Sequence, residues 1–561
     1  MAAPETASVA PIDFSTHPSK YIHWKLQFPE TAPGGKGSVA ELWLDIQEDK
    51  GLREGYPLKL NSYDLGVDIE LADALMRIRF EHPEVKALVF RSGKDRIFCS
   101  GANIYMLGSS SHAFKVNFCK FTNETRLYIE DMSEATGLPS LAALNGTASG
   151  GGYELAIACD EIVLQEDGNS AVSYPETPLL GVLPGTGGLT RLVDKRKVRR
   201  DRADAFSSLA EGLRGKRAKE WGLVDAAPPK TQFEAEVQKR VAALVANAKR
   251  KPMAKVTLPA IEAKRTNEAV TYKYVTLTFD AANGGRTATL TVRAPSDDEP
   301  KTPEELAKRG AEAWAIRAFR ELDDALLELR FNRLGTGVVA VKTEGDPKNV
   351  LAVDEMLAKY KDDGLVWETT QLMKRVLKRM DLTAKSFFAL VVPGSAFAGS
   401  LLELALASDR VYMLDSEDAE VAIWPSPLNG GAFPMSNGLS RLESRFLADP
   451  PATGRFLEQK GPIDTKLADK LGIVTFAPDD IDWDDEIRIA FEERASLSPD
   501  ALTGMEANLR FAGPETMETK IFARLSAWQN WIFQRPNAVG ERGALTMYGK
   551  PERPEFSFLR T

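Results

Sequence analysis

The feature that most constrains this chain is that it repeats itself. Residues 70–80 (ELADALMRIRF) are matched by residues 321–331 (ELDDALLELRF), and strand-like apolar runs follow each, KALVF before Arg91 and GVVAV before Lys342. Further on, ELAIACDEIVL from Glu154 pairs with ELALASDRVYML from Glu403. SYPETPLLG around Pro175 pairs with IWPSPLNGG around Pro425, and GLTRL at 188–192 with GLSRL at 438–442. The blocks keep their order at a spacing of about 250 residues, far beyond any solenoid period. The Pro and Gly punctuation matches along with the helical segments, so the blocks are not chance agreement between Leu- and Ala-rich helices. Two large lobes of similar pattern are implied. The length of 561 residues agrees, since one hydrophobic core stops growing near ~250–300 residues.

Within each lobe, short β-branched runs such as VAELWLDI and KALVF alternate with amphipathic patterns such as IELADALMRIRF. That alternation implies βαβ units, a largely parallel sheet and the α/β class. YVTLTFDAANGGRTATLTVRAP reads as a hairpin turning at Asn283 and Gly284, which opens the second half. The expected organisation is a flexible arm at 1–20, a catalytic lobe at 21–265, a second lobe at 266–483 and a helical tail at 484–561. The tail carries Trp528 and Trp531 and is expected to pack or to oligomerise.

Several function classes are excluded. No stretch approaches the ~20 apolar residues of a membrane span, and the N-terminus lacks the pattern of a secretory signal. Cys99, Cys119 and Cys159 cannot build a disulfide framework, so a reducing cytoplasm is expected. The four histidines are scattered and no cysteine pair has zinc spacing, so no metal is expected. The formal net charge of −9 argues against a nucleic-acid partner. No GxGxxG turn follows a strand, so no dinucleotide domain is expected.

Three segments carry the chemistry: IFCSGANIYML (97–107), LNGTASGGGYELAIACD (144–160) and YPETPLLGVLPGTGG (174–188). Gly150, Gly151 and Gly152 precede a helix, so their amides face its N-terminal end, where unsatisfied donors suit an oxygen that gains negative charge. Glu154 lies on the first turn of that helix, and Glu176 lies in a Pro-flanked loop able to bring in a second carboxylate. Two carboxylates beside such a turn suit acid/base chemistry at a carbonyl. The competing reading of Glu154 is a helix-terminal acid that only favours the dipole.

These three blocks, in order and with familiar spacing over roughly residues 39–226, resemble the signature blocks of the crotonase, or enoyl-CoA hydratase/isomerase, superfamily. The resemblance implies a ββα spiral core that binds coenzyme A thioesters. It assigns the two thioester-binding amides to Ala102 and Gly151 and the two carboxylates of the hydratase members to Glu154 and Glu176. Coenzyme A enters as part of the substrate, and no separate cofactor is implied. Asn103 stands where many members have Asp, Tyr153 fills a position that is often smaller, and one extra residue separates Glu176 from Gly181. These departures make Asn103 and Tyr153 candidates for substrate contact. Lys94 and Arg96, before the Ala102 loop, are candidates for the coenzyme A phosphates, against a plain solvated turn. Cys119 lies on the helix leaving that loop, away from the stripe of Phe114, Phe118, Phe121 and Tyr128. It reads either as a thiol reaching the pocket or as a small packed apolar residue.

In the second half Glu403 is kept, Ser426 stands in place of Glu176, and Gly399–Ser400–Leu401 replaces the triple glycine. That lobe reads as a degenerate copy whose role is to bury surface and close the pocket. A double-length chain of this kind resembles the ring-opening members of the superfamily. The reaction implied is addition of two waters to 2,3-epoxy-2,3-dihydrobenzoyl-CoA, giving 3,4-dehydroadipyl-CoA semialdehyde and formate. The alternatives are another crotonase-type hydratase, isomerase or carbon–carbon hydrolase, and an inactive CoA-binding scaffold. A homo-oligomer, with a dimer favoured, is expected.

Overall fold

The computed structural model describes residues 10–281 and 283–561, so residues 1–9 of the expected arm lie outside the described residues. The chain divides into two compact units, Phe14–Ala260 and Ile261–Thr561, with Ala10–Asp13 grouped in the second.

The first unit is built on strands β1 (Trp24–Gln27), β2 (Val39–Leu44), β3 (Ala87–Ser92), β4 (Arg96–Cys99), β5 (Ser140–Leu144), β6 (Gly146–Ser149), β7 (Glu161–Leu164), β8 (Ala171–Ser173) and β9 (Leu213–Arg214). Its helices include α1 (Leu65–Glu81), α2 (Ile104–Ser109), α3 (His112–Glu134), α4 (Gly151–Ala158) and α5 (Phe233–Asn247). One sheet has the order β1-β2-β3-β5-β7, antiparallel at β1–β2 and parallel elsewhere. The central strands β3 and β5 are buried along their whole length, as a parallel sheet covered on both faces requires. One cover is α5, whose Phe233, Val237, Val241 and Val245 fall at helical spacing and pack on Val39, Val89, Leu141 and Val163. Each such fully buried side chain contributes roughly 1.5–3 kcal/mol. On α1, Asp64 caps the first turn through bonds from Gly66 N (2.9 Å) and Val67 N (3.3 Å). A second sheet, β4-β6-β8-β9, carries the site: β4 leads into the Ala102 loop, β6 into α4, and β8 into the Glu176 turn.

The second unit has strands β10 (Lys264–Arg265), β11 (Ala269–Thr271), β12 (Val275–Phe279), β13 (Thr287–Arg293), β14 (Val338–Glu344), β15 (Ser386–Val391) and β16 (Arg410–Met413), neighbours in that order in one sheet. β12 and β13 form the expected hairpin, with Phe279 opposite Ala288. From β13 onward the pairs are parallel. Its helices include α6 (Trp314–Leu327), α7 (Pro347–Lys359), α8 (Gly364–Leu382), α9 (Gly399–Leu406) and α10 (Trp483–Ser496). Trp483, Ile487, Ala490 and Phe491 of α10 pack on Val338, Ala340, Phe388 and Leu390. The start of the segment expected to be a tail therefore covers this sheet as α5 covers the first. Among the described residues, no helix is long and apolar enough to cross a membrane.

Candidate active site

The second sheet of the first unit delivers three segments to one place. Gly101, at φ +88°, turns the chain out of β4 so that Ala102 bridges Tyr63 in parallel fashion. Tyr63 N donates to Gly101 O (2.9 Å) and Asn103 N donates to Tyr63 O (2.8 Å). A methyl group on Gly101 would stand 2.7 Å from Gly151 N, so the two loops touch backbone to backbone. The amides of Ala102 and Gly151 have no partner among the described residues and lie side by side. Gly150, at φ +53°, precedes α4, and a side chain there would collide with the Glu176 carboxylate.

The two glutamates occupy opposite environments. Glu154 is buried, and its Oε1 accepts from Thr186 N (2.9 Å) and Gly188 N (2.8 Å). Its Oε2 accepts from the Thr186 hydroxyl. Burial pushes its pKa up, while these three donors pull it back. Glu176 opens the short turn Glu176–Leu180, and its Oε2 is buried without a partner. Burial, reinforced by the nearby Glu154 charge, raises its pKa to about 7.

Cys119 is half-buried on α3, and burial first, then the Glu154 and Asp68 charges, raise its thiol to about 11. It is a protonated thiol at neutral pH. One turn further along, Asn123 Nδ2 donates to Gly185 O (3.1 Å), so this side of α3 faces the loop that holds Glu154.

The remaining candidates are placed elsewhere. Tyr153, next to Glu154 in the chain, donates its hydroxyl to Leu223 O (2.7 Å) and packs on Tyr174 and Phe206. Neighbours on a helix point ~100° apart, so this side chain is an internal anchor rather than a substrate contact. Asn103 caps α2 by accepting from Met106 N (2.9 Å) and donates to Pro57 O (2.8 Å) and Ser62 Oγ (3.0 Å). Both of its amide hydrogens are thereby engaged, and it too is structural. Lys94 pairs with Asp45 (3.1 Å), and exposed Arg96 lies at the end of β4 away from Ala102. The sequence patterns single out neither Thr186 nor Tyr63. The PGTGG segment was in view, but nothing in it announced that Thr186 would clasp Glu154. Among the described residues no cluster of His, Cys, Asp or Glu could hold a metal ion.

Residues 55–282 match the family model described as enoyl-CoA hydratase/isomerase. The chain belongs to that superfamily, and this part of it carries the crotonase-like α/β fold. Over 551 residues, 98% of this chain and 98% of the relative, it is 55% identical to the benzoyl-CoA-dihydrodiol lyase of Aromatoleum evansii. The fatty acid oxidation complex subunit alpha of Aliivibrio fischeri is 33% identical over 221 residues, 39% of this chain and 29% of its own. A crystal structure of an enoyl-CoA hydratase from Bacillus anthracis is 25% identical, covering 40% of this chain and 77% of its own, with a TM-score of 0.33.

Proposed function

We propose that this chain is a crotonase-superfamily lyase that opens the ring of 2,3-epoxy-2,3-dihydrobenzoyl-CoA. Two waters add, and 3,4-dehydroadipyl-CoA semialdehyde and formate leave. The full-length identity to a benzoyl-CoA-dihydrodiol lyase supports the substrate. The observation that carries the chemistry is the unpartnered Glu176 Oε2 beside the open Ala102 and Gly151 amides.

The amides hold the thioester oxygen and stabilise the negative charge it gains as electrons are drawn from the ring. The glutamates divide the proton work by their surroundings. Glu154 is raised by burial, but its three donors support the carboxylate, and of about four acceptor positions on it one remains for a water. It is the general base. Glu176, half-buried with its Oε2 unpartnered, holds a proton up to about pH 7 and is the general acid for the departing epoxide oxygen. Cys119, a neutral thiol near Glu154, serves as a contact in the same pocket.

The second unit is a degenerate crotonase-like copy. Its strands β12 to β16 repeat the order and direction of the first unit's main sheet, and α9 opens at Gly399 where α4 follows Gly150. Exposed Met517, Phe522 and Phe533 of the final segment fit a homodimer. Incubating the chain with the epoxide and measuring formate tests the main reading. Absence of formate, with turnover of crotonyl-CoA instead, would assign the site to an ordinary hydratase.

A further inference from the structure

Tyr63 is fully enclosed, 2% exposed, and its hydroxyl has no hydrogen-bond partner among the described residues. Leaving a buried hydroxyl unpaired costs about 1–3 kcal/mol. Tyr63 nonetheless sits where the site is made. A side chain on Gly151 would run into the Tyr63 hydroxyl and come within 3.2 Å of Ala102 N. The hydroxyl and the Ala102 amide nitrogen therefore both lie within a side chain's reach of Gly151, where only glycine fits.

The tyrosine is held from both sides. Its backbone is hydrogen-bonded on either side of Ala102, as described above. The Arg126 guanidinium lies 5.2 Å from its ring centre and is itself fixed to Asp68 (2.6 Å), and Phe118 packs at 6.1 Å. Only the oxygen is left without a companion.

We infer that the Tyr63 hydroxyl donates a third hydrogen bond to the thioester oxygen, beside the Ala102 and Gly151 amides. This rests on the proposed binding of an acyl-CoA thioester at that turn. No proton is transferred: the O–H bond stays intact and the donor stabilises the charge as it grows. Burial raises the phenol well above its ordinary range, so it remains a donor throughout the working pH.

Tyr63→Phe keeps the ring and removes only the oxygen. In the free protein it relieves an unpaired polar group, so the melting temperature should hold or rise. Turnover should fall about 10²-fold with little change in KM, the loss typical of one missing donor of this kind. The decisive readout is the isotope-edited infrared stretch of the thioester carbonyl in bound benzoyl-CoA. It should shift to lower frequency on binding the wild-type chain, and shift less in Tyr63→Phe. An unchanged shift and an unchanged rate in a stably folded variant would overturn the inference. A lowered melting temperature with an unchanged stretch would overturn it too, in favour of a packing role. If the wild-type chain releases no formate from the epoxide yet shows a Tyr63-dependent carbonyl shift, the reaction assignment falls and this inference stands.

Discussion

The two units carry matching sequence blocks and hold the matched residues in different electrostatic settings. In the first, the Gly151 amide is open. In the second, the Ser400 amide, one residue after the matching Gly399, donates to Asp354 Oδ2 at 2.7 Å, and the Ser426 hydroxyl donates to the same oxygen at 2.8 Å. The Asp354 carboxyl thus takes up the Ser400 amide, and a side chain at Gly399 would collide with it.

The buried glutamates differ just as sharply. Arg191 reaches Thr186 O (2.9 Å) and Glu130 (2.8 Å), leaving Glu154 with neutral donors only. The matching Arg441 binds Glu403 directly (2.8 Å) along with Asp381 (2.7 Å), and Asn429 donates to the other Glu403 oxygen (2.7 Å). A carboxylate paired with a buried guanidinium is charge-compensated and fixed in place. One arginine contact and one aspartate thus distinguish the two settings.

The largest expected effect tests the reactive side of this contrast. Glu176→Gln should lower kcat by about 10²–10⁴-fold with the fold intact. Because Glu176 works as the protonated acid, wild-type activity should fall as pH rises through about 7, and that limb should vanish in the variant. Activity that rises through the same window would reverse the roles of the two glutamates.

Gly151→Ser carries the second unit's residue into the first. Its side chain would occupy the space between Tyr63 and Ala102 N, so turnover should drop about 10²–10³-fold and acyl-CoA binding should weaken. A fully active variant would mean that the thioester oxygen binds elsewhere.

Glu403→Gln should leave the rate per chain unchanged. It should cost about 3 kcal/mol in urea unfolding, since Arg441 loses one of its two buried partners. A large rate loss without destabilisation would show that the second unit takes part in catalysis.

The smallest effect is a pH dependence. Burial raises the Asp354 carboxyl from its ordinary value to about 7. The folded state therefore binds this proton more tightly than the unfolded one. Its contribution to stability is complete below about pH 4 and is lost as pH rises through about 7. Asp354→Asn mimics the protonated form, so its stability should fall less than the wild type's across that window, Glu176 still titrating there, measured by thermal melts at stepped pH.

Much of this contrast was legible in the sequence. The repeat, the glycine turn, Glu154 and Glu176 are local patterns, and the hairpin at Asn283 and Gly284 follows from turn chemistry. What was hidden came from contacts between distant segments. Asp354 lies 46 residues before the amide it fills, and Thr186 lies 32 residues after the glutamate it clasps. No periodicity reports either. Tyr153 and Asn103 sit inside the motifs, yet their side chains bond to Leu223, Pro57 and Ser62, because side-chain direction and not proximity in the chain decides what each touches. α10 was split between lobe and tail because its charge run outweighed the stripe of Trp483, Ile487, Ala490 and Phe491 that grips the sheet.

The central claim is that each chain carries one open oxyanion turn and one that its own Asp354 has filled. Calorimetric titration with benzoyl-CoA, which lacks the epoxide, tests it directly. The account predicts one molecule bound per chain, with binding weakened by Gly151→Ser and unaffected by Ser400→Ala. Two molecules per chain, or a single site that survives Gly151→Ser, would contradict it.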